Sequence, residues 1–370
     1  MQSPLIQEKT IKRLIMRLRQ ALQALCCSLI LILLSLYVSM SSGPKTTVAR
    51  ISGINNATKS RLASLSVDNT IVIVPVNSGM LMWVENLLCS LAKTSFEATN
   101  IVFWTLDPDV QVILSDRGYS TYYDSSLYAV STNENLHDDT RNFKKMMKER
   151  PKFFIDILST GLDILFLDAD TVFFQSPLKL PDPTVDAVFS SDSREFFNTE
   201  NKDPFRDVWR RGSRFPPVCN GIFWMKSNER TIKIWRDILD VFEAGLYLAV
   251  YRALSFKDDQ RGMDVLLNDG RARLAGPLPD GITEDMLQGR YSSSPELDVR
   301  MLDQTSVVSG HLLKNRGEQY EMNLARLIEK GEGRISVHFN WDPKELVKEE
   351  GARQMGLWFL TDEGRCMHDV

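Results

Sequence analysis

Asp168-Ala169-Asp170 closes an apolar run, Ile164-Leu165-Phe166-Leu167, and is followed by a second apolar run and a proline, Thr171-Val172-Phe173-Phe174-Gln175-Ser176-Pro177. A short stretch that is apolar at every position has the pattern of a strand buried on both faces. Such strands deliver their chemistry at the carboxyl end, where the chain opens into a crevice. Two hard carboxylate oxygens at that rim suit Mg²⁺ or Mn²⁺. An ion of that kind neutralises a diphosphate and stabilises the charge that builds on it as its bond to a sugar breaks. The pair alone carries little weight, because an Asp-x-Asp arises roughly once by chance in a chain of this size and composition. The chain supplies its own control in Asp107-Pro108-Asp109, which also follows an apolar run, Ile101–Leu106. There Asp107 fits a helix start and Pro108 the first helical turn, so a solvated strand-to-helix turn accounts for that pair without a metal.

The elements that must position Asp168 and Asp170 read as an α/β domain, because short apolar runs alternate with longer helical periods. Strands are expected at Thr70–Val76, Ile101–Thr105, Tyr119–Tyr122, Asp163–Leu167, Ala187–Ser190, Gly221–Lys226, Val299–Leu302, Ser306–Val308 and Arg334–Phe339. Helical periods cover the segment after Trp83, residues 141–160, Glu229–Phe242 and a start at Lys257–Asn268, while Asp269–Pro295 reads as loop. The expectation is one domain over 69–370, a mixed central sheet with helices on both faces and no internal boundary. Trp83, Trp104, Trp224, Trp341 and Trp358 fit core packing better than stacking on a ligand.

The amino-terminal part sets the cell biology. Ala21–Met40 is almost uncharged and long enough to span a bilayer as a helix. Lys9, Lys12, Arg13, Arg17 and Arg19 precede it against the single acid Glu8, so the positive-inside rule keeps residues 1–20 cytosolic and sends the rest into the lumen. The apolar core exceeds the usual signal-peptide length, which favours an uncleaved anchor over a cleaved signal. Residues 41–68, rich in Ser, Thr, Asn and Ala, read as a flexible stem. Within it Asn56-Ala57-Thr58 is an N-glycosylation sequon. The formal net charge of −4 includes the basic flank, leaving about −8 on the remainder, so no nucleic-acid footprint is present. Cys26 and Cys27 fall in the anchor. Cys89, Cys219 and Cys366 allow one disulfide whose pairing stays open.

Four blocks give the chain a resemblance to a known family: Arg150-Pro151-Lys152 through Pro177 with the Asp pair inside; Cys219-Asn220-Gly221-Ile222-Phe223-Trp224; Asp258-Asp259-Gln260 leading into Met263–Asn268; and Val337-His338-Phe339-Asn340 with Lys348 and Gly356-Leu357-Trp358. In order and spacing the chain resembles the nucleotide-diphospho-sugar transferases of the glycosyltransferase family 77 type, with distant similarity to the glycogenin-like family 8. The resemblance implies a GT-A fold and retaining transfer from a nucleotide-sugar donor, usually a UDP-sugar, to a hydroxyl of a glycan or glycoprotein acceptor. With the anchor, it implies a single-pass type II protein of the Golgi membrane.

Carried over residue by residue, the resemblance implies that Asp168, Asp170 and His338 hold the divalent cation, Mn²⁺ or Mg²⁺, an imidazole being a suitable partner for Mn²⁺. It implies that Lys348 approaches the diphosphate, with Lys344 a competing candidate. Family members often carry a glycine between the histidine and the lysine, and here Lys344 stands near that place. Asn220 and Gly221 match a sugar-pocket block, where a glycine lets backbone come close and an amide bonds hydroxyls. Lys152 matches a basic position near donor sugar or phosphate. Asp259 and Gln260 match the block at the sugar's reacting face, Gln260 as a positioning or electrostatic group and Asp259 as the candidate for a double displacement. Asn77 and the segment Thr105–Asp107 lie where such enzymes hold base and ribose. The rival reading is a catalytically silent luminal scaffold or sugar-binding relative. A two-metal phosphohydrolase lacks the second cluster of His and Asp that it would need.

Overall fold

A computed structural model describes residues 54–125, 127–128, 140–200, 203–205, 215–243, 258–288, 296–340 and 345–367. The expected cytosolic tail and anchor, 1–20 and 21–40, lie outside the described residues, as do Trp341 and Lys344. Among the described residues no helix is long and apolar enough to cross a membrane.

The segment expected as stem contains a helix, α1 (Asn56–Leu65), capped by Asn55, whose side chain accepts from the Thr58 backbone N–H at 2.9 Å. Its Leu62 is buried in the main core with Ile54 and Leu65 packed beside it. The folded domain therefore includes residues ahead of Asn69. Only one narrow side of α1 is apolar, and a polar average over the segment hides it. Asn56 is exposed at the helix start.

The chain then runs β1 (Thr70–Val76), α2 (Leu81–Leu91), β2 (Ile101–Thr105), α3 (Pro108–Asp116), β3 (Ser120–Tyr123), α4 (Thr140–Leu158), β4 (Asp163–Leu167), β5 (Thr171–Phe173), β6 (Ala187–Ser191) and β7 (Val218–Met225). It continues through α5 (Glu229–Glu243), α6 (Asp259–Leu266), β8 (Ala272–Leu274), α7 (Glu284–Leu287), β9 (Leu297–Met301), β10 (Val307–Ser309), α8 (Gly310–Asn315), α9 (Gly317–Glu329), β11 (Ser336–His338) and α10 (Glu345–Gln354). The interval 269–295, expected as loop, holds the three-residue edge strand β8 and the one-turn α7, both too short to show a period.

The strands form an α/β mixed sheet in the order β3-β2-β1-β4-β7-β6-β9-β8, in which β7 alone runs antiparallel to its neighbours among the described strands. A smaller sheet, β10-β11-β5, pairs β11 antiparallel to β5. Because β1, β2, β4 and β6 are parallel, their carboxyl ends share one rim, and the reversed β7 brings its amino end, Val218-Cys219-Asn220-Gly221, to the same rim.

Strands β1, β4 and β7 are buried along their whole length, as the apolar runs Ile71–Val76 of β1 and Ile164–Leu167 of β4 require. Phe166 and Phe223 stack across β4 and β7 with ring centroids 5.4 Å apart, and Phe154 of α4 meets both edge-on. Trp83, Trp104, Trp224 and Trp358 are core residues. Trp83 packs edge-on against Trp358 at 5.1 Å behind the small sheet, where the disulfide Cys89–Cys366 fastens the carboxyl-terminal segment to α2. That bond resolves the pairing the sequence left open. Cys219 is free and buried.

Candidate metal and donor site

Asp168 is the first residue beyond β4, and Asp170 precedes β5. The Asp168 backbone N–H donates to the Gly221 carbonyl at 2.7 Å, extending the β4–β7 pairing by one step. On the other side the Phe339 N–H donates to the Asp170 carbonyl at 2.9 Å, and Thr171 pairs with His338 in the small sheet. The Asp pair is thus the seam where the chain leaves one sheet for the other. His338 Nε2 lies 3.4 Å from Asp168 Oδ2 and 3.4 Å from Asp170 Oδ1. One ligand atom from each of the three residues falls within a 4.8 Å cluster.

Whether these residues fit a cation is tested by Gly221. A Cβ there would stand 2.2 Å from His338 Cε1 and 2.4 Å from Asp168 Oδ2, so any side chain would fill the cradle between two of the three ligands. Two carboxylates and an imidazole make a donor set suited to Mn²⁺. The residues therefore fit the group.

Lys348, expected to approach the diphosphate, is buried on α10 with Nζ 2.7 Å from Asp170 Oδ2. Burial alone would raise the pKa of Asp170, but Lys348 and His338 outweigh it and hold the carboxyl well below the usual range. Burial opposes the charged imidazole at His338. Cys219 and the carboxylates of Asp168 and Asp170 overcome that and hold its pKa well above the usual value.

Beside the metal cluster lies a second group. Asp258, not Asp259, caps α6 by accepting from the Arg261 N–H at 2.8 Å, which leaves Asp259 free to turn inward. Asp259 is fully buried, 3.3 Å from Arg150 Nε and 3.3 Å from Asn220 Nδ2. Burial raises its pKa against the pull of Arg150. Gln260 bridges two walls of the cleft, its Oε1 accepting from the Asn220 N–H at 3.0 Å and its Nε2 donating to Asp192 Oδ2 at 3.1 Å. Asn220 Oδ1, Asp259 Oδ1 and Asn340 Oδ1 are buried without a hydrogen-bond partner among the described residues. Unpaired buried acceptors are costly, and ligand hydroxyls would satisfy them.

Three residues here escaped the sequence reading. Arg150 reaches the site where Lys152 was expected. Its Nη2 donates to the Asn220 carbonyl at 2.9 Å and its guanidinium lies over Phe166 at 4.5 Å, while Lys152 pairs with Glu149 on its own helix at 3.4 Å. One helical turn is 3.6 residues, so the two basic residues face different directions, and the periodicity of α4 was the available signal. Asp192, just past β6, carried no motif, its position after a strand being the one signal; Asn340, just past β11, closes the Val337–Asn340 block but was given no role there. Asn77 is buried directly after β1. Asp107 caps α3 through Val110 N–H at 2.9 Å, with Pro108 opening the helix as expected. It is buried rather than solvated, because it also accepts from Ser78.

A family model described as nucleotide-diphospho-sugar transferase matches residues 97–349. No curated protein is a significant match to this chain. Similar solved structures include the galactosyltransferase LgtC in complex with donor and acceptor sugar analogues, at 13% identity, covering 79% of this chain and 98% of that one, TM-score 0.44. A glycosyltransferase involved in glycosylation of the major capsid of PBCV-1 is 10% identical over 78% of this chain and 98% of its own, TM-score 0.35. The glycosyltransferase GlyE of Streptococcus pneumoniae is 12% identical over 76% of this chain and 60% of its own, TM-score 0.40. Likeness this distant settles neither fold nor chemistry.

Two outcomes follow from the geometry. Gly221→Ala is expected to weaken Mn²⁺ binding by about 100-fold or more, since the loss strikes two ligands at once; a metal titration that left affinity unchanged would refute the cradle. The second concerns Asp192, an exposed residue whose carboxylate accepts from Gln260 and Asn340. Burial of that carboxylate pushes its pKa up to about 6 against the pull of His338 and Arg194. A raised acid keeps its proton in the folded state while the unfolded state has lost it, so metal-free stability should fall as pH rises from 3.8 to about 6. Urea unfolding across that window should show a shallower fall in Asp192→Asn. Solvent access trims the size of the effect, which makes the sign of the difference the readout.

Proposed function

The chain belongs to the nucleotide-diphospho-sugar transferase family and is a glycosyltransferase; from that premise we propose that it transfers a sugar from a UDP-sugar, with retention and with Mn²⁺ or Mg²⁺, to a hydroxyl of a glycan or glycoprotein. The observation that carries this reading is the meeting of Asp168, Asp170 and His338 around the side-chain-free space at Gly221.

The cation, held by those three residues, would supply charge neutralisation on the departing diphosphate. Lys348 stands beside Asp170 on the same side of the site and is the residue positioned to add a further positive charge there. Asp259 is engaged on Oδ2 by Arg150 and Asn220, and its free Oδ1 suits accepting from a sugar hydroxyl better than attacking carbon. Asn220 offers its Oδ1 in the same way. Gln260, fixed at both ends of its amide, is a rigid wall against which the reacting carbon can be oriented. Among the described residues no side chain is well disposed as nucleophile, and the proposed retention has the acceptor hydroxyl attack on the face the diphosphate leaves, the departing phosphate oxygen taking the proton.

Asp170→Asn is expected to lower metal-dependent hydrolysis of the donor, across a panel of sugar nucleotides, by about 100-fold or more. Hydrolysis at the parent rate would sink the reading. Tight UDP binding by the parent without turnover on any donor or acceptor would favour the silent scaffold instead.

The reading includes a type II arrangement in the Golgi membrane, anchored by 21–40 with the catalytic domain luminal. Its support is the basic flank, the apolar segment, an exposed sequon and a disulfide, which forms and persists in an oxidising compartment. In cells the full chain should be protease-protected in intact membranes and gain electrophoretic mobility on glycosidase removal of a glycan at Asn56, a shift absent in Asn56→Gln. An unglycosylated, protease-accessible domain would reverse the topology.

A further inference from the structure

We propose that Cys219 is a positioning residue for the metal site, accepting the Nδ1–H of His338 so that Nε2 is presented to the cation, and that Asn340 ties this contact to the sugar side of the cleft. The inference rests on the metal reading above and goes beyond it. His338 turns Nε2 toward both carboxylates, so Nδ1 points away from the cradle. The Cys219 sulfur lies 3.5 Å from Nδ1. An imidazole that gives its Nε2 lone pair to a cation carries its proton on Nδ1, and it needs an acceptor there to fix tautomer and ring orientation. That acceptor is more usually a carboxylate or carbonyl. Here it is a thiol, a weak acceptor, on the far side of the ring and so unable to act as a ligand itself.

A second set of contacts makes the arrangement more than one cysteine near one histidine. Asn340 Nδ2 is 3.9 Å from the same sulfur and 3.3 Å from Asp192 Oδ1. Asp192 accepts from Gln260, and Gln260 accepts from the Asn220 backbone. Polar contacts therefore run without interruption from the metal's histidine to the amide that lines the reacting face. Cys219 and Gly221 lie two apart on β7, so one strand supplies both the space for the ligands and the group behind the imidazole. If the role of Cys219 were packing alone, an alanine or valine would serve, and no polar side chain would need to reach the sulfur.

The test uses the full chain in detergent, with Mn²⁺ titrated by electron paramagnetic resonance of the free ion, ¹⁵N shifts of the His338 ring read with diamagnetic Zn²⁺ in place of Mn²⁺, and thermal unfolding as a control. Cys219→Ala is expected to weaken Mn²⁺ by about 10- to 100-fold with mixed ring tautomers and an unchanged melting temperature. Cys219→Ser, whose hydroxyl also accepts, should stay within about threefold of the parent. Parent affinity and an unchanged tautomer in Cys219→Ala overturn the inference. Equal losses in both variants together with a lowered melting temperature assign the residue to packing and overturn it as well. An Asp170→Asn control separates the two readings. If the control and the parent titrate alike, the metal site fails and this inference fails with it. If only the control loses binding while Cys219→Ala matches the parent, Cys219 alone is wrong.

Discussion

One backbone constraint organises the site: the three residues Asp168–Asp170 cannot follow a single sheet. The Asp168 N–H is committed to Gly221 on β7, and the Asp170 carbonyl is committed to Phe339 just past β11. Buried backbone polar groups must be paired. The chain meets that requirement by changing sheets in the space of one alanine, and both carboxylates are left at the seam. His338 then arrives by strand register rather than by any contact of its own side chain, because it is the partner of Thr171 in the small sheet. A histidine some 170 residues downstream is thus placed by the same ladder that places the second aspartate.

The antiparallel β7 is the other requirement. Had it run parallel to β4, its amino end would lie at the opposite rim and Gly221 could not face Asp168. Reversed, it brings Cys219, Asn220 and Gly221 to the site together. The buried Arg150–Asp259 pair then spans from α4 to α6 across Asn220. Such pairs add little net stability after desolvation, though removing one partner strands the other. The reason to keep one here is position, since it fixes Asn220 and Asp259 with one acceptor of each still open. Behind the seam, the carboxyl-terminal segment is tied to α2 by Cys89–Cys366 and by Asn86, which accepts from Phe359 N–H at 2.6 Å. The same segment includes α10 and Lys348.

Much of this was legible in the chain. Continuous apolar runs located β1, β2 and β4 to the residue, because strands buried on both faces leave no polar position to blur the ends. Asp168 and Asp170 were visible as a pair, but only the blocks around them distinguished them from Asp107-Pro108-Asp109, which proved to be a helix cap. What was not legible depends on three dimensions. Helix α1 was lost in a polar average, since one leucine on one face is enough to dock it. Arg150 and Lys152 differ by helical phase, not by type. The choice of Asp258 over Asp259 as cap depends on one residue of helix boundary, which sequence rarely resolves. Asp192 belongs to no motif and Asn340 only closes a block without a role of its own; both become site residues when two strand ends meet.

The charges sort themselves along the cleft. The pKa of Asp170 is held well below the usual carboxylate range by Lys348 and His338 despite its burial, whereas burial raises that of Asp259 against the pull of Arg150 and that of Asp192 up to about 6 against His338 and Arg194. Carboxylates whose environments push their pKa values apart are fitted for different tasks. The held anion at Asp170 belongs beside a cation and a diphosphate. The two with raised values belong beside neutral hydroxyls, from which they can accept. The division follows the architecture: the low side is built from the seam and β11, the high side from β6 and the first turn of α6. A ligand with a strongly anionic end and a polyhydroxylated end would have only one orientation in which both halves are matched. Net charge alone could not supply that discrimination, because it lies in how each carboxylate is surrounded.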